Sequence, residues 1–113
     1  MRHNGYISQV NYAINPEDFL ISRTDANGYI TYANPRFIEV SGFEANELIN
    51  EPHNVVRHPD MPPEVYRDMW ETLRAGSAWQ GYIKNRRKNG DHYWVHANVV
   101  PVVEKGVLQG YAS

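Results

Sequence analysis

The residue types able to do chemistry gather in two places. Between Asn50 and Met61 the chain carries His53, Arg57, His58 and Asp60 in an irregular stretch rich in His, Asn, Pro and charge, immediately before a helical pattern that begins at Pro62. A loop so placed can present cationic groups to an anion such as a pyrophosphate, and the helix N-terminus adds a favourable partial charge. Asp60 would orient Arg57 and His58 there, or would simply cap the helix. The second place is the β-prone run from Trp79 to Lys88, where alternation puts Trp79, Gly81, Ile83 and Asn85 on one face. An amide left unpaired on such a face costs about 1–3 kcal/mol, so a ligand edge that both donates and accepts hydrogen bonds suits Asn85. By residue type alone Trp79 is core filler, and Asn34, which stands before Pro35, is first of all a helix N-cap.

Other chemistries fit less well. The chain has no cysteine, which excludes disulfides, thiolate metal sites, cysteine nucleophiles and photochemistry through a cysteinyl adduct. His53 and His58 have no third His or carboxylate at a recognisable metal spacing, and the helix from Pro62 to Ala75 contains no His to serve as an axial haem ligand. The run Lys84, Arg86, Arg87 and Lys88 is basic, but a solvated strand edge is the commoner reason for such a run, and the formal net charge of −2 offers no field for nucleic acid.

Positioning these groups requires a sheet and several short helices. Phe19–Thr24 and Tyr29–Ala33 flank the tight-turn sequence Asp25-Ala26-Asn27-Gly28, a hairpin signal. Asn34, Pro35, Phe37, Val40 and Gly42 spell a short capped helix, and a second short piece is expected at Ala45–Ile49. From Pro62 to Ala75, Val65, Met69 and Leu73 recur every four residues, with Tyr66 and Trp70 beside them and Gly76 as a stop. Trp79–Lys88 and Asp91–Val103 flank Asn89-Gly90, and Glu104-Lys105-Gly106 turns the chain into a last strand. An ungapped two-residue hairpin at Asn89-Gly90 would set Asn85 opposite Trp94 and Gly81 opposite Asn98. Tyr93, Val95, Ala97 and Val99 would then lie on the face away from the pocket. An apolar outer face needs covering, so residues 1–18, a second copy or another domain is expected to pack there.

The order of two strands, helices and three strands makes an α+β domain with one antiparallel sheet. At 113 residues, 42% apolar and 12% aromatic, the chain can form one core. Residues 1–18 read as a loosely ordered N-terminal cap and 19–113 as the domain proper. No apolar run reaches the roughly 18 residues of a membrane span, and Met1–Gln9 lacks a signal-peptide layout. The expected location is cytoplasmic. The final strand, Val107–Ser113, stops without a turn or polar tail, from which a fragment of a longer protein is expected.

Three segments, 25–34 (Asp25-Ala26-Asn27-Gly28-Tyr29-Ile30-Thr31-Tyr32-Ala33-Asn34), 40–43 (Val40-Ser41-Gly42-Phe43) and 87–94 (Arg87-Lys88-Asn89-Gly90-Asp91-His92-Tyr93-Trp94), resemble the PAS family across residues from about 19 to 113. Within it, residues 51–62 and 79–94 closely resemble the PAS domains of bacterial aerotaxis receptors. The resemblance implies a PAS fold, a five-stranded antiparallel sheet with short helices packed on one face. It also implies a noncovalent flavin, FAD in preference to FMN, whose redox state follows respiration. The domain would be a sensor and not an enzyme, lying on the cytoplasmic side of a dimeric receptor that meets the membrane elsewhere in its chain. Its partner would be the downstream signalling domain of the same receptor. By the same resemblance Arg57, His58 and Asp60 help to hold FAD, and Asn34, Trp79 and Asn85 lie near it; His53 joins them as a candidate. A flavin needs hydrogen-bonding groups for its ring edge, apolar walls for its faces and cations or amides for its phosphates, and these residues supply each type. Two alternatives stay open: a cofactor-free PAS interaction module, and a PAS sensor of another small ligand.

Overall fold

Hairpin chemistry and helix caps account for most of the elements. The computed structural model describes residues 6–15 and 17–113. Two strands, β1 (Ser22–Asp25) and β2 (Ile30–Ala33), come first, then helices α1 (Pro35–Ser41) and α2 (Ala45–Leu48), a 3-10 turn (His53–Val56) and helix α3 (Pro63–Arg74). Strands β3 (Trp79–Arg86), β4 (His92–Glu104) and β5 (Val107–Ala112) complete the chain. The five strands form one sheet in the order β2-β1-β5-β4-β3, with every pair antiparallel. Because β2 and β3 are its two edges, the helical connection between them crosses the whole sheet and covers one face. This is the α+β architecture that the order of elements implies.

Helix α1 starts where Asn34 accepts the Phe37 amide at 2.9 Å, and it stops at Gly42 in the left-handed conformation, φ 75°. Its Phe37 and Val40 are buried, and Phe37 joins Ile30, Leu48, Val55 and Val56 in one core cluster. A second cluster gathers Met61, Leu73, Trp79, Ile83 and Tyr111, with Val95, Ala97 and Val99 packed on it. The apolar stripe of α3 faces this second cluster through Leu73, Val65 and Met69.

The β3–β4 hairpin departs from expectation. Asn85 stands opposite Tyr93, not Trp94, and Gly81 opposite Ala97, not Asn98. A two-residue type I′ turn needs positive φ at both central positions. Here Gly90 has φ 99°, but Asn89 is not among the positive-φ residues. Instead the Arg87 amide donates to the Asp91 carbonyl at 2.7 Å and the Gly90 amide to the Arg87 carbonyl at 2.9 Å, closing a five-residue connection. The Asn89 side chain accepts the Asp91 amide at 3.0 Å and holds the longer turn. The type I′ geometry appears at the next turn, where Lys105 and Gly106 have φ 51° and 77° and Glu104 pairs with Val107.

A one-residue slip moves every side chain of a strand to the other face. Tyr93 is therefore fully buried, and Val95, Ala97 and Val99 pack on the inner cluster, against the expectation that they face outward. The outer face carries Tyr82 and Trp94 instead, 73% and 50% exposed. Residues 6–12 lie along the hairpin end of the sheet. The Ser8 amide donates to the Gly90 carbonyl, His92 exchanges backbone bonds with Val10 and Tyr12, and Arg86 Nε donates to the Tyr6 carbonyl at 2.9 Å. Residues 1–5, also assigned to the expected cap, lie outside the described residues.

Gly110 of β5 sits where a Cβ would overlap the Thr24 carbonyl of β1. Gly110→Ala should therefore destabilise the domain by at least about 2 kcal/mol in urea unfolding; an unchanged midpoint would show that this strand contact is not tight.

Candidate functional site

Between the inner face of the sheet and the helices lies a cavity of about 730 Å³, within the usual range for small-molecule sites. Ile83 and Asn85 of β3, Val95, Ala97 and Val99 of β4, and Tyr111 of β5 form its sheet wall. Phe37, Val56, Tyr66, Met69 and Trp70 face them, and residues 14–15 and 18–22 close a further side. The walls are chiefly aromatic and aliphatic, with a few polar groups among them.

Asn85 is paired on both sides. It stands opposite Tyr93 in the β3–β4 ladder, and its other edge forms an isolated antiparallel bridge with Arg57. Burial raises the Tyr93 phenol far above its ordinary value, an effect that the neighbouring Asn85 amide partly offsets. The bridge puts Arg57 on the same side of the sheet as Asn85, and both line the cavity. The Arg57 guanidinium lies 3.7 Å from the centre of the Tyr66 ring, a cation–π contact. The Tyr66 hydroxyl is buried with no hydrogen-bond partner among the described residues.

His53 also lines the cavity. Its Nε2 shares a 3.0 Å hydrogen bond with the buried Ser22 hydroxyl, and its ring meets the Phe37 ring edge-on at 5.9 Å. Burial pushes the His53 imidazole below its usual range, so the ring serves here in its neutral form.

The other candidates stand behind or beside the cavity. By strand alternation from the Arg57–Asn85 bridge, His58 points to the opposite side, toward Lys84, Arg86 and His92. It is 1% exposed, and its Nδ1 accepts the Asp60 amide at 3.0 Å. Asp60 accepts Lys84 Nζ at 3.3 Å. It does not cap α3, whose N-cap is Pro62 with no side-chain bond. Trp79 belongs to the core beneath the cavity, with Nε1 donating to Asp68 at 2.9 Å and its ring lying over Gly81. Besides capping α1, Asn34 accepts the Ile21 amide at 3.1 Å and donates to the Phe19 carbonyl at 2.8 Å. It thus supports residues 19–21, expected as strand but lying outside β1 as the segment that leads into it, and does not itself line the cavity.

Of the seven sequence candidates, His53, Arg57 and Asn85 line the cavity and Asn34, His58, Asp60 and Trp79 do not. Sequence reasoning passed over Ser22, Phe19 and the cavity-facing role of Tyr66. Tyr66 and Trp70, four apart on α3, were visible as aromatics beside the apolar stripe; Ser22 and Phe19 carried no signal of their own. Among the described residues no three His, Asp or Glu side chains are grouped closely enough to hold a metal ion, and no helix is long and apolar enough to cross a membrane.

Comparison with known proteins agrees with this geometry. A family model described as the PAS fold matches residues 30–112. The aerotaxis receptor of Escherichia coli (strain K12) is 51% identical over 113 residues, which is 100% of this chain and 22% of that protein. A nitrogen fixation regulatory protein of Klebsiella pneumoniae is 36% identical over 94 residues, 82% of this chain and 19% of that protein. The chain thus spans about a fifth of each of these relatives. Among solved structures, the PAS domain of a protein from Colwellia psychrerythraea superposes with a TM-score of 0.74 at 22% identity, covering 82% of this chain and 80% of that one.

The two depressed histidines make stability depend on pH. Burial lowers His58 most, and Lys84, His92 and Arg86 add to it against the opposing pull of Asp60; His53 is lowered by burial. Below the ordinary imidazole value near 6.5 the unfolded chain binds protons that the folded chain does not, so stability falls as pH falls through that range. Melting temperatures measured from pH 7.5 down to 5.5 should drop, with a shallower slope in His58→Gln than in the parent. Identical slopes would show that His58 does not titrate differently in the two states.

Proposed function

The chain belongs to the PAS family, and from that premise we propose that it is a sensor domain that holds a flavin, FAD in preference to FMN, and passes its redox state to a signalling partner. The observation that carries this reading is the pairing of Asn85 with Arg57 at one wall of a largely apolar cavity of about 730 Å³. The bridge sets an Asn, whose amide can donate and accept, opposite an Arg, whose guanidinium suits phosphate, and both line a cavity whose walls suit a flat ring. The buried Tyr66 hydroxyl, which has no partner among the described residues, adds a polar group that a ligand could satisfy.

A bound flavin would supply a reversible redox couple whose two states differ in protonation at the ring edge. Asn85 would meet that edge, since its amide can turn to offer either a donor or an acceptor. Arg57 would hold the phosphates, with Tyr66 beneath its guanidinium fixing the side chain. His53 would present a neutral ring held by Ser22. His58 and Asp60 would act through Arg57, by setting the loop from which it projects. Trp79 would support β3 from the core, and Asn34 would support the entry to β1.

A redox state can be signalled only if the two states differ in contact energy. A change at Asn85 acts directly on β3, whose hairpin holds residues 6–12 through Gly90, His92 and Arg86. We assign the output to that end of the sheet. The domain unit is taken as 19–113 with 1–18 as its cap. The aerotaxis-receptor relative supports a signalling role and not an enzymatic one. We further propose that the domain belongs to a longer, dimeric receptor, on its cytoplasmic side and with a downstream output domain as partner; of these, the relative's greater length supports the longer receptor.

Absorbance of protein purified without added cofactor, followed by chromatography of what denaturation releases, tests the cofactor. Flavin bands with FAD in the supernatant are expected, and a colourless protein that refuses added FAD would sink the proposal. Asn85→Ser should shift the flavin midpoint potential while leaving the melting temperature close to the parent's; a variant that merely unfolds would remove Asn85 from the sensing role. Arg57→Ala should weaken FAD by about tenfold or more and leave riboflavin, which lacks phosphate, nearly unaffected. Equal loss of both would show that Arg57 supports the loop and not a phosphate.

A further inference from the structure

The cavity is longer than one ring system needs. It is lined from Asn85 on β3 to Ser22 and Thr24 on β1, and these strands lie three places apart in the sheet, a span of about 14 Å at the usual strand spacing. Beyond β1 it continues to Asp18 and Phe19. Phe19 lines the cavity yet is 76% exposed. A lone exposed aromatic is ordinary on a protein surface, but the backbone that carries this one is held in place. Asn34 Nδ2 donates to the Phe19 carbonyl at 2.8 Å, Asn34 Oδ1 accepts the Ile21 amide at 3.1 Å, and the Asn34 amide donates to the Ile21 carbonyl at 2.9 Å. Asn34 is itself fixed by its cap of α1. The preceding residue, Asp18, also lines the cavity, and its carboxylate accepts Arg36 at 2.8 Å, which holds it ionised.

We propose that Phe19 is the specificity-determining platform for the second, purine end of a dinucleotide ligand, that Asp18 accepts from that end's amine or sugar hydroxyls, and that Asn34 is the positioning residue that presents the ring. This rests on the flavin assignment and deepens it, because the ring system near Asn85 is common to FAD and FMN, whereas only FAD carries a purine to reach Phe19. A flat heteroaromatic base stacked on an aromatic side chain is the interaction such a ring offers. It also gives Asn34 a part in ligand binding without a place in the cavity wall.

Flavin-free protein titrated with FAD and, separately, with FMN by equilibrium dialysis tests this. Phe19→Ala should weaken FAD by about tenfold or more, the usual size of one base–aromatic stack, and leave FMN unchanged. Phe19→Trp should keep the parent's preference for FAD. Asn34→Ser retains a capping side chain but loses the donor to the Phe19 carbonyl, and should lower the preference for FAD over FMN, a ratio that general destabilisation does not move. If the parent binds both flavins and Phe19→Ala weakens them equally, or weakens neither, the platform is overturned while the flavin assignment stands. If the parent binds neither, both fall together.

Discussion

The register of the β3–β4 hairpin governs the interior of this domain. Pairing Asn85 with Tyr93 puts Tyr93, Val95, Ala97 and Val99 on the inner face with Ile83 and Asn85. One residue of slip would turn that row outward and bring Trp94 and His96 in. The register in turn depends on a five-residue connection from Arg87 to Asp91, closed by backbone bonds and held by the Asn89 side chain. The turn adopted at the tip and the row of side chains that lines a cavity well away from it are therefore tied to each other.

The second constraint is the bridge between Arg57 and Asn85. It turns a loop into a short extension of the sheet, so that neighbouring residues of one sequence motif serve opposite sides. Arg57 faces the cavity, and His58 faces Lys84, Arg86 and His92, next to the segment that His92 and Arg86 hold through Val10, Tyr12 and Tyr6. Cavity side and outer side thus meet across a single backbone step. Local alternation of this kind needs no long chain of contacts between the two sides.

Asn34 joins several elements from outside the cavity wall. Its one amide caps the start of α1, accepts the Ile21 amide and donates to the Phe19 carbonyl. Trp79 is similar: it fills the core, fixed by Asp68, and its ring lies over Gly81. Both were singled out from sequence by resemblance, and by residue type alone they read as a cap and as core filler. The structure displays those two structural roles directly.

Sequence by itself determined the elements and their order. Periodicity in Val65, Met69 and Leu73, the Asn34-Pro35 start and Gly42 stop of α1, and the turn residues at Asp25–Gly28 and Glu104–Gly106 are local signals, and each holds in the structure. The family was legible too, from long motifs around Arg57 and Asn85. What only tertiary structure decided was the partnering. Asn89-Gly90 permits more than one turn, and the one adopted is the one that buries Tyr93 and packs Val95, Ala97 and Val99 on the inner cluster. Likewise nothing in the string His53 to Asp60 separates the cavity-facing Arg57 from the outward His58 until Arg57 meets Asn85, 28 residues later in the chain. Local sequence specifies torsion preferences, whereas a site is made by contacts between distant segments, and those are selected only when the whole core is packed.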